Sequence, residues 1–506
     1  MVVKITSATT IGLDVHIVST EVDITNSLPQ ISIVGLGDTA ISEARERLKL
    51  AIKNSNYDFP KTKVVINLAP ANLKKEGAGY DLSMAVGILT KEKIIKNNKL
   101  EEFAFLGELS LDGTLRPVNG ILPIVSGLSE FGIKKVVLPF DNSKEASFAG
   151  DIEVYGVKNL VEAVEFLNGN LDLTPVKQNI EDFLNNKEEY AIDFKDIKGQ
   201  SQAKFALLIA ASGAHNILMS GTPGSGKTML ARAFNSILPP LEKEEAIELT
   251  KIYSVSGLID DKIPLITKRP FRAPHHSASY AGITGGGSNP KPGEITLSHR
   301  GVLFLDEMPE FQRQVLEVLR QPLEENFVTI SRAQSTIKYP ANFILVGAMN
   351  PCPCGFLGDK KKECVCSEYQ IKRYKMKLSG PLLDRIDLQI TVPRLTEDEL
   401  LNFKEDGETS FDMRKKVINA RKIQKERYKN DNIYTNSELT PKLIKKYCKI
   451  DDNSRLILKN AINKFNLSAR SYDRILKISR TIADLKGAEN IEINDIMQAL
   501  SFRGLN

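Results

Sequence analysis

The sequence predicts an α/β protein whose C-terminal part is helical, and three observations support this class. Up to about residue 170, short apolar runs such as ISIVGL (31–36) and KVVINLAP (63–70) alternate with helical patterns such as residues 41–55. A glycine-rich stretch at 221–228 lies between an apolar run and a helical pattern. After residue 394 strand patterns almost disappear.

The length and periodicity predict several domains, because 506 residues exceed one ordinary domain. Residues 1–170 are predicted as an α/β domain, 171–195 as a polar linker, 196–393 as a second α/β domain and 394–506 as a helical domain. Within the last, helices are expected near 413–430, 453–464 and 471–486.

Composition predicts a globular protein of the cytoplasm, with 42% hydrophobic and 26% charged residues. No stretch reaches the roughly 20 apolar residues of a membrane span, and the first residues lack a secretion signal. Structural disulfides are therefore not expected among the five cysteines.

Charge is unevenly distributed along the chain. Residues 1–190 hold 20 Lys and Arg against 26 Asp and Glu, a net of −6, and the remainder holds 48 against 37, a net of +11. The excess, mostly after Cys366, indicates either solvated helix surfaces or a nucleic-acid contact.

The stretch GTPGSGKT matches the phosphate-binding pattern G-x-x-x-x-G-K-[ST] in full. It predicts that the backbone N–H groups and the following helix N-terminus bind the phosphates of ATP. Lys227 would contact the β- and γ-phosphates, and the Thr228 hydroxyl would bind Mg²⁺. The predicted binding residues are Gly221, Thr222, Pro223, Gly224, Ser225, Gly226, Lys227 and Thr228.

Polar residues follow two further apolar strands. GVLFLDE (301–307) ends in Asp306, a predicted Mg²⁺ ligand, and Glu307, which would polarise the attacking water. NFILVGAMN (342–350) ends in Asn350, which would orient that water or sense the γ-phosphate.

Two groups of basic residues near the C-terminus are further candidates. Arg385 in SGPLLDRID (379–387) could stabilise phosphoryl charge across a subunit interface, or form a salt bridge with Asp384 or Asp387. In SARSYDRILKISR (468–480), one helical face carries Arg470, Arg474 and Lys477, and one of these could reach the nucleotide.

Four of the five cysteines form the pattern C-x-C-x₉-C-x-C: Cys352, Cys354, Cys364 and Cys366. Four thiols are the number that a tetrahedral structural Zn²⁺ takes, so the pattern predicts a zinc site. Reduced surface thiols and a redox switch are the alternatives.

The order of these motifs resembles that of AAA+ ATPases, and residues 269–307 resemble the magnesium-chelatase-like branch of the YifB/ComM type. The resemblance implies a P-loop core with a C-terminal helical lid, with Asn350 as sensor 1, Arg385 as arginine finger and Arg470 as the sensor-2 arginine. It also implies a β-hairpin at 327–340 that faces the pore of a hexamer.

The N-terminal domain resembles the ribosomal S5-like proteolytic domain of Lon, through residues 67–89 and 107–124. Lon-type proteases use a Ser–Lys dyad. Here Ser83 lies elsewhere, in a helical pattern, and Leu122 stands where Lon has its lysine. The domain is therefore interpreted as non-proteolytic.

Several functions follow from the resemblance as hypotheses. The leading one is a homo-hexameric, ATP-driven helicase or branch-migration translocase acting on single-stranded or branched DNA, as described for ComM-type proteins. A chelatase motor subunit, a protein-remodelling ATPase and a protease are the alternatives. His275 and His276 are interpreted as a loop contact to DNA or to a neighbouring subunit rather than as metal ligands.

Overall fold

A computed structural model of the chain describes residues 2–36, 38–73, 75, 77–184, 190–260, 262–287, 290–332, 335–359, 361–395, 407–465 and 468–503. The chain forms two compact units. Unit 1 consists of Met1–Asn186 and Glu242–Thr267, and unit 2 of Lys187–Leu241 and Lys268–Asn506. None of the helices described combines the length and apolar character needed to cross a membrane.

Unit 1 is built on a mixed sheet of seven strands. Antiparallel pairs join its longest strands, and its other neighbours are parallel. In spatial order the strands are Ile31–Val34, Lys63–Ala69, Asp14–Thr25, Val3–Ile11, Phe103–Phe105, Lys135–Pro139 and Glu153–Val157. A small hairpin pairs Glu108–Leu109 with Leu115–Arg116.

The helices of unit 1 cover this sheet with apolar faces. Asp81–Lys91 is almost wholly buried because nearly all of its residues are apolar or small. The other helices are Asp38–Asn54, Ile121–Leu128, Ser143–Ala146, Leu160–Leu167, Ile180–Leu184 and Lys243–Ser256.

The helix Lys243–Ser256 lies in unit 1 although its sequence falls inside the predicted second α/β domain. It packs on Ile121–Leu128, and the Gly120 N–H donates to the Ser254 carbonyl at 3.1 Å. Sequence periodicity gave no sign of this pairing, because an amphipathic helix does not reveal which surface it covers.

Unit 2 contains a fully parallel sheet of five strands, which confirms the predicted α/β class. Its central strands are continuous apolar runs because helices bury both faces. Their order is Phe271–Arg272, Val302–Leu305, Ile344–Met349, Ile217–Ser220 and Leu388–Thr391.

Short helices connect these strands. They are Ser201–Gly213, Lys227–Phe234, Tyr280–Thr284, Glu294–Leu297, Arg313–Val318, Pro322–Glu325, Glu368–Lys375 and Gly380–Leu383. The predicted hairpin before the Asn350 strand is confirmed: Phe327–Arg332 pairs antiparallel with Ser335–Pro340. Gly285–Gly286 and Lys291–Pro292 form a second, smaller ribbon.

The C-terminal part is helical, as predicted, with helices Ser410–Arg427, Pro441–Tyr447, Asp452–Phe465, Ala469–Leu485 and Ile493–Ser501. Three begin at side-chain caps, where Thr409 accepts from the Asp412 N–H, Thr440 from the Leu443 N–H and Ser468 from the Ser471 N–H. These helices share one apolar core with the five-stranded sheet. Residues 185–189 of the predicted linker and 396–406 near the predicted domain start lie outside the described residues.

Candidate nucleotide site and cysteine cluster

The predicted phosphate loop connects the strand Ile217–Ser220 to the helix Lys227–Phe234. Gly226 has φ +92°, which lets the chain turn sharply into the helix. A Cβ added at Gly221 would lie 2.3 Å from the Val392 carbonyl oxygen, so only glycine fits there. The loop therefore presents a helix N-terminus at the carboxyl end of the central strand.

Lys227 lies buried within this loop. Its Nζ donates to the carbonyl oxygens of Gly221 at 2.6 Å and Thr222 at 3.1 Å, and to Asn350 Oδ1 at 3.4 Å. Burial lowers the pKa of Lys227, while the nearby charges of Asp306 and Glu307 oppose this effect. The chain thus brings a lysine ammonium and the predicted sensor side chain together.

Thr228 and Asp306, the two predicted Mg²⁺ ligands, are in contact. The Thr228 hydroxyl donates to Asp306 Oδ2 at 2.9 Å, and Asp306 Oδ1 accepts from the Glu307 N–H at 2.9 Å. A hydroxyl and a carboxylate oxygen are hard ligands of the kind that Mg²⁺ uses.

Glu307 is held by an unusual backbone conformation and by a histidine. Its φ is +48°, a left-handed value that is uncommon for a residue with a Cβ and that clusters at functional positions. Its Oε2 lies 3.6 Å from His276 Nδ1, and the rings of His276 and His275 are 4.1 Å apart. Sequence reasoning missed this partner; its signal was a pair of histidines shortly after the strand Phe271–Arg272.

The structure places the predicted arginine finger, Arg385, in an internal ion pair. Its guanidinium bonds to Glu324 and donates to the Pro381 carbonyl at 2.8 Å. The intramolecular alternative therefore describes this structure, although its partner is neither Asp384 nor Asp387. Only about a tenth of the Arg385 side chain is exposed, against 53% for Glu324.

The three lid candidates have different surroundings. Arg474 pairs with Asp387, and Lys477 Nζ donates to the Ser437 carbonyl at 2.8 Å. Arg470, in the first turn of the helix Ala469–Leu485, is exposed. Of these three side chains, Arg470 is the one left accessible to a ligand.

The four clustered cysteines converge at the start of the loop that follows Asn350. Their sulfur atoms all lie within 4.8 Å of one another, and none is in a disulfide. Cys448 lies apart, buried at the end of the helix Pro441–Tyr447. The four thiols therefore lie close enough together to bind one metal ion.

The Ser83 hydroxyl is buried in unit 1. Its Oγ bonds with Thr20 Oγ1 and donates to the Tyr80 carbonyl, both at 2.8 Å. Leu122, which stands at the position compared with the Lon lysine, is buried in the helix Ile121–Leu128. The side chain of Ser83 is therefore not exposed, and its hydrogen bonds to described residues include no base.

Comparisons with known proteins divide the chain among three family descriptions. Residues 193–400 match "Magnesium chelatase, subunit ChlI", residues 20–142 match "Subunit ChlI of Mg-chelatase" and residues 407–503 match "Magnesium chelatase, subunit ChlI C-terminal".

Relatives match over almost the whole length. The competence protein ComM of Haemophilus influenzae is 42% identical over 503 residues, which cover 99% of this chain and 97% of ComM. This chain belongs to the ComM/YifB family of magnesium-chelatase-like AAA+ proteins. The YifB protein of Escherichia coli is 38% identical over 98% of this chain and 96% of its own length. The magnesium-chelatase 38 kDa subunit of Rhodobacter capsulatus is 27% identical over only 31% of this chain.

Membership of the ComM/YifB family implies an ATPase that uses ATP and Mg²⁺. The phosphate loop fits such a ligand, because the hydroxyls of Thr222 and Ser225 are buried and bond to no other described residue. The Thr228–Asp306 contact supplies oxygen ligands for the ion.

Proposed function

We propose that the chain is an ATP-hydrolysing motor that moves on DNA. The observation that carries the hydrolytic part is the meeting of three strand ends at one sheet edge. There Thr228 contacts Asp306 at 2.9 Å and Lys227 contacts Asn350 at 3.4 Å. Groups that bind phosphate, hold Mg²⁺ and handle water therefore lie side by side.

Each residue has a distinct role in this proposal. The loop N–H groups and Lys227 bind the phosphates, and Thr228 and Asp306 hold Mg²⁺, which neutralises phosphate charge. Glu307 polarises the attacking water, and Asn350 orients it. His276 restrains the Glu307 carboxylate, since its ring nitrogen lies 3.6 Å away.

Two arginines complete the proposed site. Arg470 is proposed as the sensor-2 arginine of a helical lid formed by residues 394–506. Arg385 is proposed as the finger offered to a neighbouring subunit of a homo-hexamer. In this role its guanidinium exchanges Glu324 for a phosphate, an exchange made easier because Glu324 is half exposed.

The DNA part of the proposal rests on charge and on the hairpin. Residues 191–506 carry a net charge of +11, which favours a polyanionic track. The hairpin Phe327–Pro340 presents the exposed Lys338, whose Nζ lies 4.9 Å from the Phe327 ring centroid. A cation beside an aromatic ring is suited to nucleic-acid contact.

Residues 1–170 are proposed as a Lon-like, non-proteolytic module.

The alternative, a chelatase-like or protein-remodelling ATPase, is less well supported. The similarity to the 38 kDa chelatase subunit covers 31% of this chain, whereas the similarity to ComM covers 99%. The name of that relative, a competence protein, supports a DNA track for this chain.

The decisive experiment measures the ATPase rate with no DNA, with single-stranded DNA and with branched DNA, for wild type and Glu307→Gln. We expect stimulation by DNA in the wild type. In the variant we expect ATP binding without turnover, because an amide cannot polarise water as a carboxylate does.

Salt-dependent DNA binding by the same preparations provides the second readout. If DNA does not stimulate the ATPase and the protein does not bind DNA, the result would favour protein remodelling. Turnover that survives Glu307→Gln would remove Glu307 from the proposed mechanism.

A further inference from the structure

The sulfur positions in the cysteine loop, residues 352–366, match a tetrahedral metal site. Zn–S bonds of about 2.3 Å place neighbouring sulfurs about 3.8 Å apart. Here Cys352 Sγ lies 3.4 Å from Cys354 Sγ and 3.6 Å from Cys364 Sγ. The distance between Cys354 Sγ and Cys364 Sγ is also 3.6 Å. A disulfide would need about 2.05 Å.

Backbone N–H groups are directed at these sulfurs. Leu357 N donates to Cys352 Sγ at 3.3 Å, and Cys354 N donates to Cys366 Sγ at 3.4 Å. Such bonds favour the thiolate form that binds metals. Gly355, with φ +85°, makes the turn that directs them.

The donor set indicates which metal fits the site. Four sulfur ligands in tetrahedral arrangement select zinc or iron. A divalent ion also offsets the mutual repulsion of neighbouring thiolates.

The cysteine loop packs directly on the phosphate loop. A Cβ added at Gly355 would lie 2.8 Å from Cγ and Cδ of Pro223, and 3.9 Å from Asn350 Cγ. The loop also begins two residues after Asn350. Its conformation therefore sets the surface behind both the phosphate loop and the sensor side chain.

The helix that follows adds a second connection. The Tyr374 ring, in Glu368–Lys375, is buried, and its hydroxyl lies near the Asn350 backbone. The chain on both sides of the cysteine loop therefore lies close to Asn350.

We propose that the four cysteines bind one Zn²⁺, and that this ion holds the cysteine loop against Pro223 and Asn350 so that ATP binding depends on zinc. The second part rests on the proposed ATPase function, whereas the metal site does not.

The metal site is tested by the zinc content of the purified full-length chain. We expect one zinc per wild-type chain, loss of zinc when Cys364→Ser and Cys366→Ser are combined, and retention in the control Cys448→Ser. Co²⁺ added to metal-free wild type should give the absorption of a tetrahedral tetrathiolate site, a readout that needs no variant. Iron instead of zinc, or no bound metal with no cobalt spectrum, overturns the assignment.

The coupling is tested with a fluorescent ATP analogue. Removing zinc from the wild type should weaken binding of the ATP analogue on the order of tenfold, and returning zinc should restore it. Changes to the residues around a metal ligand have effects of this size on affinity or activity. Unchanged affinity in the metal-free chain overturns the coupling while leaving the site.

A glycine pair separates this contact from general disruption of the loop. Gly355→Ala places a methyl group against Pro223, whereas Gly358→Ala, at φ +79°, meets nothing within 4 Å. We expect both variants to keep zinc and only Gly355→Ala to weaken nucleotide binding. Equal losses in both would contradict the proposal. Zinc content is unaffected by whether the chain hydrolyses ATP, so failure of the proposed function is recognised separately.

Discussion

At the scale of single residues, the contact between His276 and Glu307 adds a partner to the proposed water-activating carboxylate. The two side chains lie 3.6 Å apart, and Glu307 has a left-handed backbone. A restrained carboxylate loses less entropy when it orients water. His276 therefore acts as a positioning residue in the proposed mechanism.

Replacing this histidine tests the assignment. We expect His276→Ala to lower kcat about tenfold or more, because small displacements of a catalytic group are costly, and to leave KM for ATP nearly unchanged. His276→Asn should recover part of the rate. Steady-state ATPase kinetics measure both constants.

The matched control is His275→Ala, since the His275 ring bonds to Ser277 instead. A kcat for His276→Ala equal to that of His275→Ala would show that the contact with Glu307 does not matter for turnover.

What the sequence could predict at this scale depended on where a residue lies. Thr228, Asp306 and Asn350 follow buried parallel strands, whose carboxyl ends share one edge, so their proximity followed from the pattern. His276 and Glu324 do not follow directly on a strand of the parallel sheet. The path of the chain that carries them is not determined by its periodicity. Their contacts with Glu307 and Arg385 could only be seen in three dimensions.

At the scale of elements, Asp387 joins the parallel sheet to the C-terminal helices. Its carboxylate pairs with Arg474 and lies 3.5 Å from His215 Nδ1, and it accepts from the Asn216 N–H at 3.1 Å. On the far side of the His215 ring, Nε2 lies 2.8 Å from Thr481 Oγ1. The helix Ala469–Leu485 is thereby attached to the sheet through buried polar groups.

Neutralising this carboxylate should destabilise unit 2. Asp387→Asn leaves Arg474 without its charge partner, and breaking a buried pair costs about 3–5 kcal/mol. Urea unfolding followed by circular dichroism should show a lower midpoint. Asp384→Asn is the matched control, because Asp384 is only half-buried.

The effect has a defined pH dependence. Although burial alone would raise it, Arg474 and His215 hold the pKa of Asp387 well below its usual range. The ionised carboxylate therefore stabilises the fold above the ordinary aspartate pKa of about 4, and this contribution is lost as pH falls toward the folded-state pKa. The difference between wild type and Asp387→Asn should shrink in acid; a constant difference would contradict this account.

Element positions were largely predictable from the sequence. The predicted helix 413–430 is observed at Ser410–Arg427, and the predicted hairpin 327–340 is present. The partner of Lys243–Ser256 was not predictable, because its amphipathic pattern specifies a buried face and not the surface against it.

At the scale of the whole molecule, unit 1 is assembled from two separate stretches of sequence. Lys243–Ser256 contacts Ile121–Leu128, and the Gly120 N–H bonds to the Ser254 carbonyl. A fragment ending near residue 186 lacks this helix and exposes the apolar surface that it covers.

Fragments test whether the helix is needed. We expect residues 1–186 alone to melt at a lower temperature than a fusion of 1–186 with 242–267 through a glycine–serine linker, because the fusion buries the exposed apolar face. Calorimetry of both fragments provides the comparison. A control fusion with Ala246→Asp and Leu249→Asp, two buried positions of the helix, should melt like the fragment alone. Equal melting temperatures for all three would show that the helix contributes nothing.

The split composition of unit 1 also orders events during synthesis. The ribosome makes the N-terminal stretch first, yet about 80 further residues separate its end from the end of Glu242–Thr267. At typical elongation rates this is a delay of roughly 4–16 s. During that interval the phosphate loop has already been translated, so the first unit to begin folding cannot be completed until part of the second has been made.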